Sequence, residues 1–170
     1  EVAQLSLMAP PERRQRDQAI PVSVDGANGF QCRLSKCCGP LPGDEIPGYV
    51  TRGRGLTIHR SDCKNLRYHA EHEPHRVVPL TWKPDSGSTV FRQDIEVVAV
   101  DRPGLFSHIT AIISDCGINI ARATSTTNDS GVAHLNLTLD LRSRAALEHV
   151  LQRLEKGIDV IHVRQLANAH

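Results

Sequence analysis

Cys37, Cys38, His59 and Cys63 are the side chains of this sequence best suited to hold a soft metal ion. Zinc takes about four thiolate or imidazole ligands in a tetrahedron. Adjacent cysteines chelate one ion awkwardly, so Cys32 or Asp62 could complete the set. His59 and Cys63 lie four residues apart and can face one site if a helical turn begins there. The same residues also fit a buried thiol cluster in which a neighbour satisfies His59. A third reading is a thiol or metal hydrolase using Cys37 or Cys38 with His59, but it lacks a visible third member and an oxyanion site. Five cysteines, an odd number without a secretory signal, fit reduced thiols or a metal site better than a disulfide framework.

A second constellation is VDRPGLFSHI, residues 100–109, where a strand runs into a turn and leaves as a helix. Pro103 suits the turn, Gly104 admits a ligand to the backbone, and free N–H groups of Leu105 and Phe106 would favour a carboxylate. Asp101 would hold an ammonium beside them, with Arg102 in the same loop. Asn119 and Ile120, just past the helix, could add an amide contact and an apolar wall. Together these residues describe a site for a small zwitterion. Leu105, Ile109, Ile120 and Ala121 suit Val, Ile or Leu better than a polar amino acid. The alternative is that Pro103-Gly104 is only a helix entrance and the segment binds nothing.

Charge is unevenly placed. Residues 31–69 hold seven Lys and Arg against three Asp and Glu, a net +4, whereas residues 90–170 hold eight against nine, a net −1. The basic residues Arg33, Lys36, Arg52, Arg54, Arg60, Lys64 and Arg67 could meet a polyanion, with Gly53 and Gly55 letting a loop approach phosphates. An ordinary solvated face is the competing reading. His69, His72 and His75 lie around Pro74 and read as a solvated connector. Trp82 reads as a core or interface anchor.

The elements that must position these residues fall into two groups. Residues 1–20 are polar, with Pro10-Pro11 and a charged run, and read as a disordered linker. Residues 21–84 alternate short apolar runs with Gly and Pro, which predicts a small β-rich domain with one helix near residues 61–70. Residues 85–89 read as a hinge. Beyond it, Leu105, Ile109, Ile112, Ile113 and Cys116 share one helical face, closed by Gly117. Ala146, Leu147, Val150, Leu151 and Leu154 share another, with Ser143 as N-cap. With four strands around them, residues 90–167 read as βαββαβ, a ferredoxin-like sandwich. The fold class is therefore α+β. The chain begins at Glu1 and has no apolar run long enough to cross a bilayer, so it reads as a piece of a larger cytoplasmic protein without a membrane partner.

DRPGLFSHITAIISDCGINI, residues 101–120, resembles the ACT domain, a regulatory module that commonly binds amino acids, often at a dimer interface. That resemblance carries the ligand role to Asp101, Arg102, Pro103, Gly104, Leu105, Phe106, Asn119 and Ile120. CCGPLPGDEI and GRGLTIHRSDC, within residues 31–66, resemble the C-terminal region of long Rel/SpoT enzymes of the stringent response. There a zinc-finger-like, or ribosome-intersubunit, domain precedes a terminal ACT domain. The resemblance implies a parent that makes and hydrolyses (p)ppGpp through domains absent from this chain, which would itself be no enzyme. It implies docking of the cysteine domain on ribosomal RNA, tRNA as a further partner, and homodimerisation through the ACT domain. A ligand-free dimerisation or docking module is the alternative function.

Overall fold

The computed structural model describes residues 20–24, 30–53 and 55–168. The linker expected over residues 1–20 lies almost wholly outside them, as does Arg54. The first half forms five strands, β1 (Val22–Val24), β2 (Cys32–Leu34), β3 (Ile46–Thr51), β4 (Gly55–Ile58) and β5 (Val77–Trp82), with one helix, α1 (Lys64–His72). Their sheet runs β1-β5-β3-β4-β2, antiparallel except where β2 lies parallel to β4. Ile46, Leu56, Ile58, Leu80 and Val22 form its small core. Gly55 is required here for a reason that its loop position does not suggest. Its φ is +90°, and a Cβ would stand 2.4 Å from the carbonyl oxygen of Gln31.

A 3-10 turn over Pro84–Ser88 leads into β6 (Phe91–Val100), α2 (Leu105–Asp115), β7 (Asn119–Thr127), β8 (Val132–Leu141), α3 (Arg144–Glu155) and β9 (Val160–Gln165). The four strands form an antiparallel sheet ordered β7-β8-β6-β9. Leu135, Leu137, Leu139 and Leu141 alternate inward along β8 and meet Ile109 and Ile113 of α2 and Leu147, Val150 and Leu154 of α3. Gly117 closes the α2 region at φ +71°, and Ser143 caps α3 by accepting from the Ala146 amide at 3.1 Å. None of the described helices is long and apolar enough to cross a membrane.

The two cores are not separate in space. Leu41, from the turn after the cysteine pair, is 1% exposed and belongs to the second core, with Leu34 and Trp82 packed against it. Trp82 meets Phe91 edge-on at 5.7 Å between ring centres and donates its indole N–H to the Asp44 carbonyl at 3.1 Å. Arg144, the first residue of α3, grips Asp44 with both prongs at 2.8 and 2.7 Å, and its own amide donates to the Pro42 carbonyl at 2.8 Å. Truncating Leu41 to alanine should therefore unfold the second core more easily although the residue belongs to the first half of the chain. We expect a loss of about 2–5 kcal/mol, the usual cost of a buried Leu→Ala cavity, read from urea unfolding followed at amides of β6 and β8. An unchanged midpoint would mean that the loop is not seated in that core.

Candidate functional site

The turn after β2 and the start of α1 bring four soft donors together. The ligand atoms of Cys37, Cys38, His59 and Cys63 all lie within 4.8 Å of one another. Cys37 Sγ is 3.5 Å from both His59 Nδ1 and Cys63 Sγ, and Cys38 Sγ is 3.9 Å from the same imidazole nitrogen. Zinc bonds of about 2.3 Å to sulfur and 2.0–2.1 Å to nitrogen imply tetrahedron edges of about 3.8 Å between sulfurs and 3.6 Å between sulfur and nitrogen. The observed spacings fit, so the cluster could hold a tetrahedral metal ion. The adjacent cysteines lie in a turn over residues 36–38, from which both sulfurs reach the cluster. The four-donor cluster contains neither Cys32, on β2, nor Asp62, which pairs instead with Arg60 at 2.6 Å.

The surroundings sort the donors. Burial pushes the Cys38 thiol up to about 12, against hydrogen bonds from Ser35 and the Arg60 amide. Its sulfur lies 2.8 Å from Ser35 Oγ and accepts from Arg60 N–H at 3.3 Å. Burial also raises Cys37, but hydrogen bonds with Ser35, Cys63, Asn65 and Cys38 outweigh it and leave that thiol below its ordinary value. Burial, then the charge of His69, lowers His59, which favours the neutral imidazole that a metal requires. A cavity of about 400 Å³ beside the cluster is lined by Arg60, Lys64 and Asn65 on one side and by Gln165 and Leu166 of the second domain on the other.

The basic residues do not share one role. Arg33, Lys36 and Arg67 are exposed, and Lys64 stands at the cavity rim. Arg52 is 81% exposed and 3.7 Å from Glu73. Arg60 is committed to Asp62 and, at 3.3 Å, to Gln165 Oε1. It is thus a junction residue rather than an open phosphate ligand, a distinction that charge counting could not make.

The zwitterion candidates fall into two sets. Gly104 stands at φ +83° as the α2 N-cap, next to exposed Asp101 and Pro103, and Phe106 is 45% exposed. Leu105 N–H is not free as its position suggested, for it closes a turn onto the Arg102 carbonyl at 3.1 Å. The Arg102 side chain pairs with Asp159. Asn119 and Ile120 lie at the far end of α2, where Asn119 Nδ2 donates to Asp140 at 2.7 Å. Asp101 is tied to Gly131, just before β8 begins, whereas Asn119 pairs with Asp140 near its end. At about 3.3 Å per strand residue, Asp101 and Asn119 stand on the order of 30 Å apart within one copy. Ser107, Thr110, Ala111, Ser114 and Ile118 join Asn119 and Ile120 around an open groove of about 480 Å³. The helical residues of that groove were missed in the sequence, although small side chains at i, i+3, i+4 and i+7 leave a helix face bare.

The chain is therefore a cysteine-bearing β domain seated on a βαββαβ sandwich, with four clustered metal donors in the first and a groove beside α2 in the second. Residues 22–83 match the model of the RelA/SpoT RIS domain, and residues 87–164 match that of the ACT domain. The chain is 37% identical over 170 residues to the bifunctional (p)ppGpp synthase/hydrolase RelA of Mycobacterium tuberculosis, covering 99% of this chain and 23% of that protein. It is 34% identical over 157 residues to the GTP pyrophosphokinase of Escherichia coli, covering 92% of this chain and 21% of that one. The ACT domain of the Chlorobium tepidum GTP pyrophosphokinase aligns at 28% identity and TM-score 0.42, over 46% of this chain and all of that one. The chain thus carries a RIS domain followed by an ACT domain, matches the C-terminal region of RelA/SpoT-type GTP pyrophosphokinases and spans about a fifth of those relatives' length, outside their catalytic domains.

The contrast between the thiols is measurable. In chelator-treated protein near neutral pH, iodoacetamide should alkylate Cys37 at least ~10-fold faster than Cys38, because exposure and thiolate character both favour it. Peptide mass spectrometry over a time course reads the order, and equal rates would contradict it.

Proposed function

We propose that this region is the non-catalytic sensor of a stringent-response (p)ppGpp synthetase/hydrolase. The ACT domain takes a branched-chain amino acid, Val or Ile foremost, and the RIS domain docks on ribosomal RNA around a bound zinc. Binding would bias the parent between hydrolysis and synthesis by favouring one arrangement of its domains. In the intact protein, which we place in the cytoplasm, tRNA is a further partner.

The observation that carries the amino-acid reading is the separation of the two candidate sets. One copy cannot clasp a small zwitterion with both ends of an eleven-residue helix. Two copies can. Strand β7 is a sheet edge, and Ala123, Ser125 and Thr127 are exposed although they face the same side as buried Leu137, Leu135 and Ala133. Antiparallel pairing of β7 with a second copy about a two-fold axis would set Asn119 of one copy beside Thr127 of the other, near the Asp101 loop. The ammonium would then meet Asp101, the carboxylate the Pro103–Phe106 turn and the Asn119 amide, and the aliphatic side chain Ile120 and Ile118.

For the RIS domain, the four donors and their spacing support zinc, which would supply a cross-link rather than chemistry. Exposed Arg33, Lys36, Arg52, Lys64 and Arg67 support contact with an RNA backbone, recognised by shape. The Cys37–His59 approach at 3.5 Å also fits a thiol nucleophile and base, but the same imidazole nitrogen faces Cys38 as well, which suits a ligand better.

Titration of the labelled protein with valine, isoleucine, leucine and serine should shift amides at residues 101–106 and 119–120 for the branched-chain members only. Asp101→Ala and Asn119→Ala should each abolish the response, while an equimolar mixture of the two variants should recover about a quarter of wild-type sites, those in mixed dimers that pair two intact halves. No recovery would place both residues in one copy's site. No response in folded wild-type protein would leave the ACT domain as a docking or dimerisation module.

Zinc content near one per chain, lost in Cys63→Ser, supports the metal site; hydrolytic activity abolished in a still-folded Cys37→Ser variant would overturn the non-catalytic reading.

A further inference from the structure

The cysteine pair is held from behind by the other domain. Gln165, the last residue of β9, donates Nε2 to the Cys38 carbonyl at 3.4 Å. Its Oε1 accepts from Arg60 at 3.3 Å and from Arg144 at 2.9 Å. Arg144 also donates to the carbonyl of Gly39, the residue after Cys38, at 3.2 Å. Arg60 joins this set to the sulfur itself, since its amide donates to Cys38 Sγ. Gly39 allows no slack, because a Cβ there would stand 2.2 Å from Gln93 Oε1 of β6. Cys38 is therefore fixed at its sulfur by its own domain and at its carbonyl by the ACT domain.

Partners that orient a ligand from outside a metal site typically contribute 10–100-fold in affinity. We propose that Gln165 and Arg144 are positioning residues of the thiol site, so that metal binding and closure of the RIS–ACT junction form one linked equilibrium. This rests on the metal reading above. Linkage is reciprocal: whatever factor the closed junction adds to metal affinity, the bound metal returns to closure. The ACT domain thereby acts as part of the metal site without touching the ion.

Zinc affinity of the whole chain should be measured by competition with a chromophoric chelator in wild type, Gln165→Ala and Arg144→Met. Arg164→Ala is the control, since that neighbour is 61% exposed and pairs with Glu96 instead. We expect Gln165→Ala to weaken zinc binding about 10–100-fold, Arg144→Met at least as much, and Arg164→Ala to leave it unchanged. Hydrogen exchange supplies the converse readout. Among the described residues, two amides cross the junction, Arg144 N–H to the Pro42 carbonyl and Asn168 N–H to the Lys36 carbonyl at 2.9 Å. Zinc should slow both in wild type by a similar factor and slow them less in Gln165→Ala. Should Arg144→Met fail to fold, Gln165→Ala decides. Zinc affinity equal to wild type in folded Gln165→Ala, or junction amides indifferent to zinc, overturns the inference while leaving the metal site standing. A wild-type protein that takes up no zinc overturns the metal reading and this inference with it.

Discussion

The Arg144–Asp44 pair is the constraint on which the arrangement of the two domains depends. Both side chains are nearly nine-tenths buried, at 13% and 11% exposure. Removing two charges from water costs several kcal/mol per ion, recovered only when geometry is good and the remaining donors are satisfied. Here the guanidinium meets both carboxylate oxygens, the Gly39 carbonyl and Gln165 Oε1, and Asp44 further accepts from the Leu41 amide at 2.8 Å. Such a pair contributes little net stability compared with apolar packing, but it tolerates no alternative docking. Any other seating of the loop would leave an unpaired charge in the interface. Leu41 supplies the apolar burial, and Arg144 determines where it goes.

Much of the second domain was legible because its signals were periodic and local. The alternating leucines of β8, the i, i+4, i+7 faces of both helices, Ser143 as cap and Gly117 as terminator each concern neighbours in sequence, where backbone geometry alone dictates the outcome. The β-rich character of the first domain followed from its short apolar runs between Gly and Pro, and its five strands fall within residues 21–84. The thiol set was legible in composition but not in closure. Whether adjacent Cys37 and Cys38 can both face His59 depends on a turn whose shape is fixed by contacts more than a hundred residues away, such as Arg144 with Gly39. Leu41 passed unremarked for the same reason, since nothing local distinguishes a leucine that enters a distant core.

The ligand residues of the ACT domain show the opposite limit. Their types were readable, but joining Asp101 to Asn119 in one pocket assumed that a strand-to-helix turn and the next helix-to-strand turn share a side of the sheet. In a βαββαβ sandwich they cannot, because the helix carries the chain back along the strand it has just left. The two turns lie at opposite ends of α2, and only symmetry between copies can make them neighbours. A bare β7 edge is then less a defect than the surface such symmetry requires, since an uncovered edge strand otherwise invites indiscriminate pairing.

If the proposed function holds, the sheet order puts its two recognition events at opposite edges. Strand β7, with Asn119 and the groove, lies at one edge, and β9, with Gln165 against the thiol site, lies at the other. No side chain can touch both. A ligand that tightens the β7 edge can reach the RIS domain only through β8 and β6 or through the packing of α2 against α3, whose first residue is Arg144. The helix route has the better lever. Ile109 and Ile113 of α2 and Leu147 and Val150 of α3 belong to one close-packed core, and such a core transmits a displacement rather than absorbing it. A small rotation of α3 at its N-terminus would move Arg144 against Asp44 and Gln165, where the buried charge pair responds steeply to position. The contact that seats the domains on one another would then also be the contact best placed to carry the effect of such a ligand to the cysteine site.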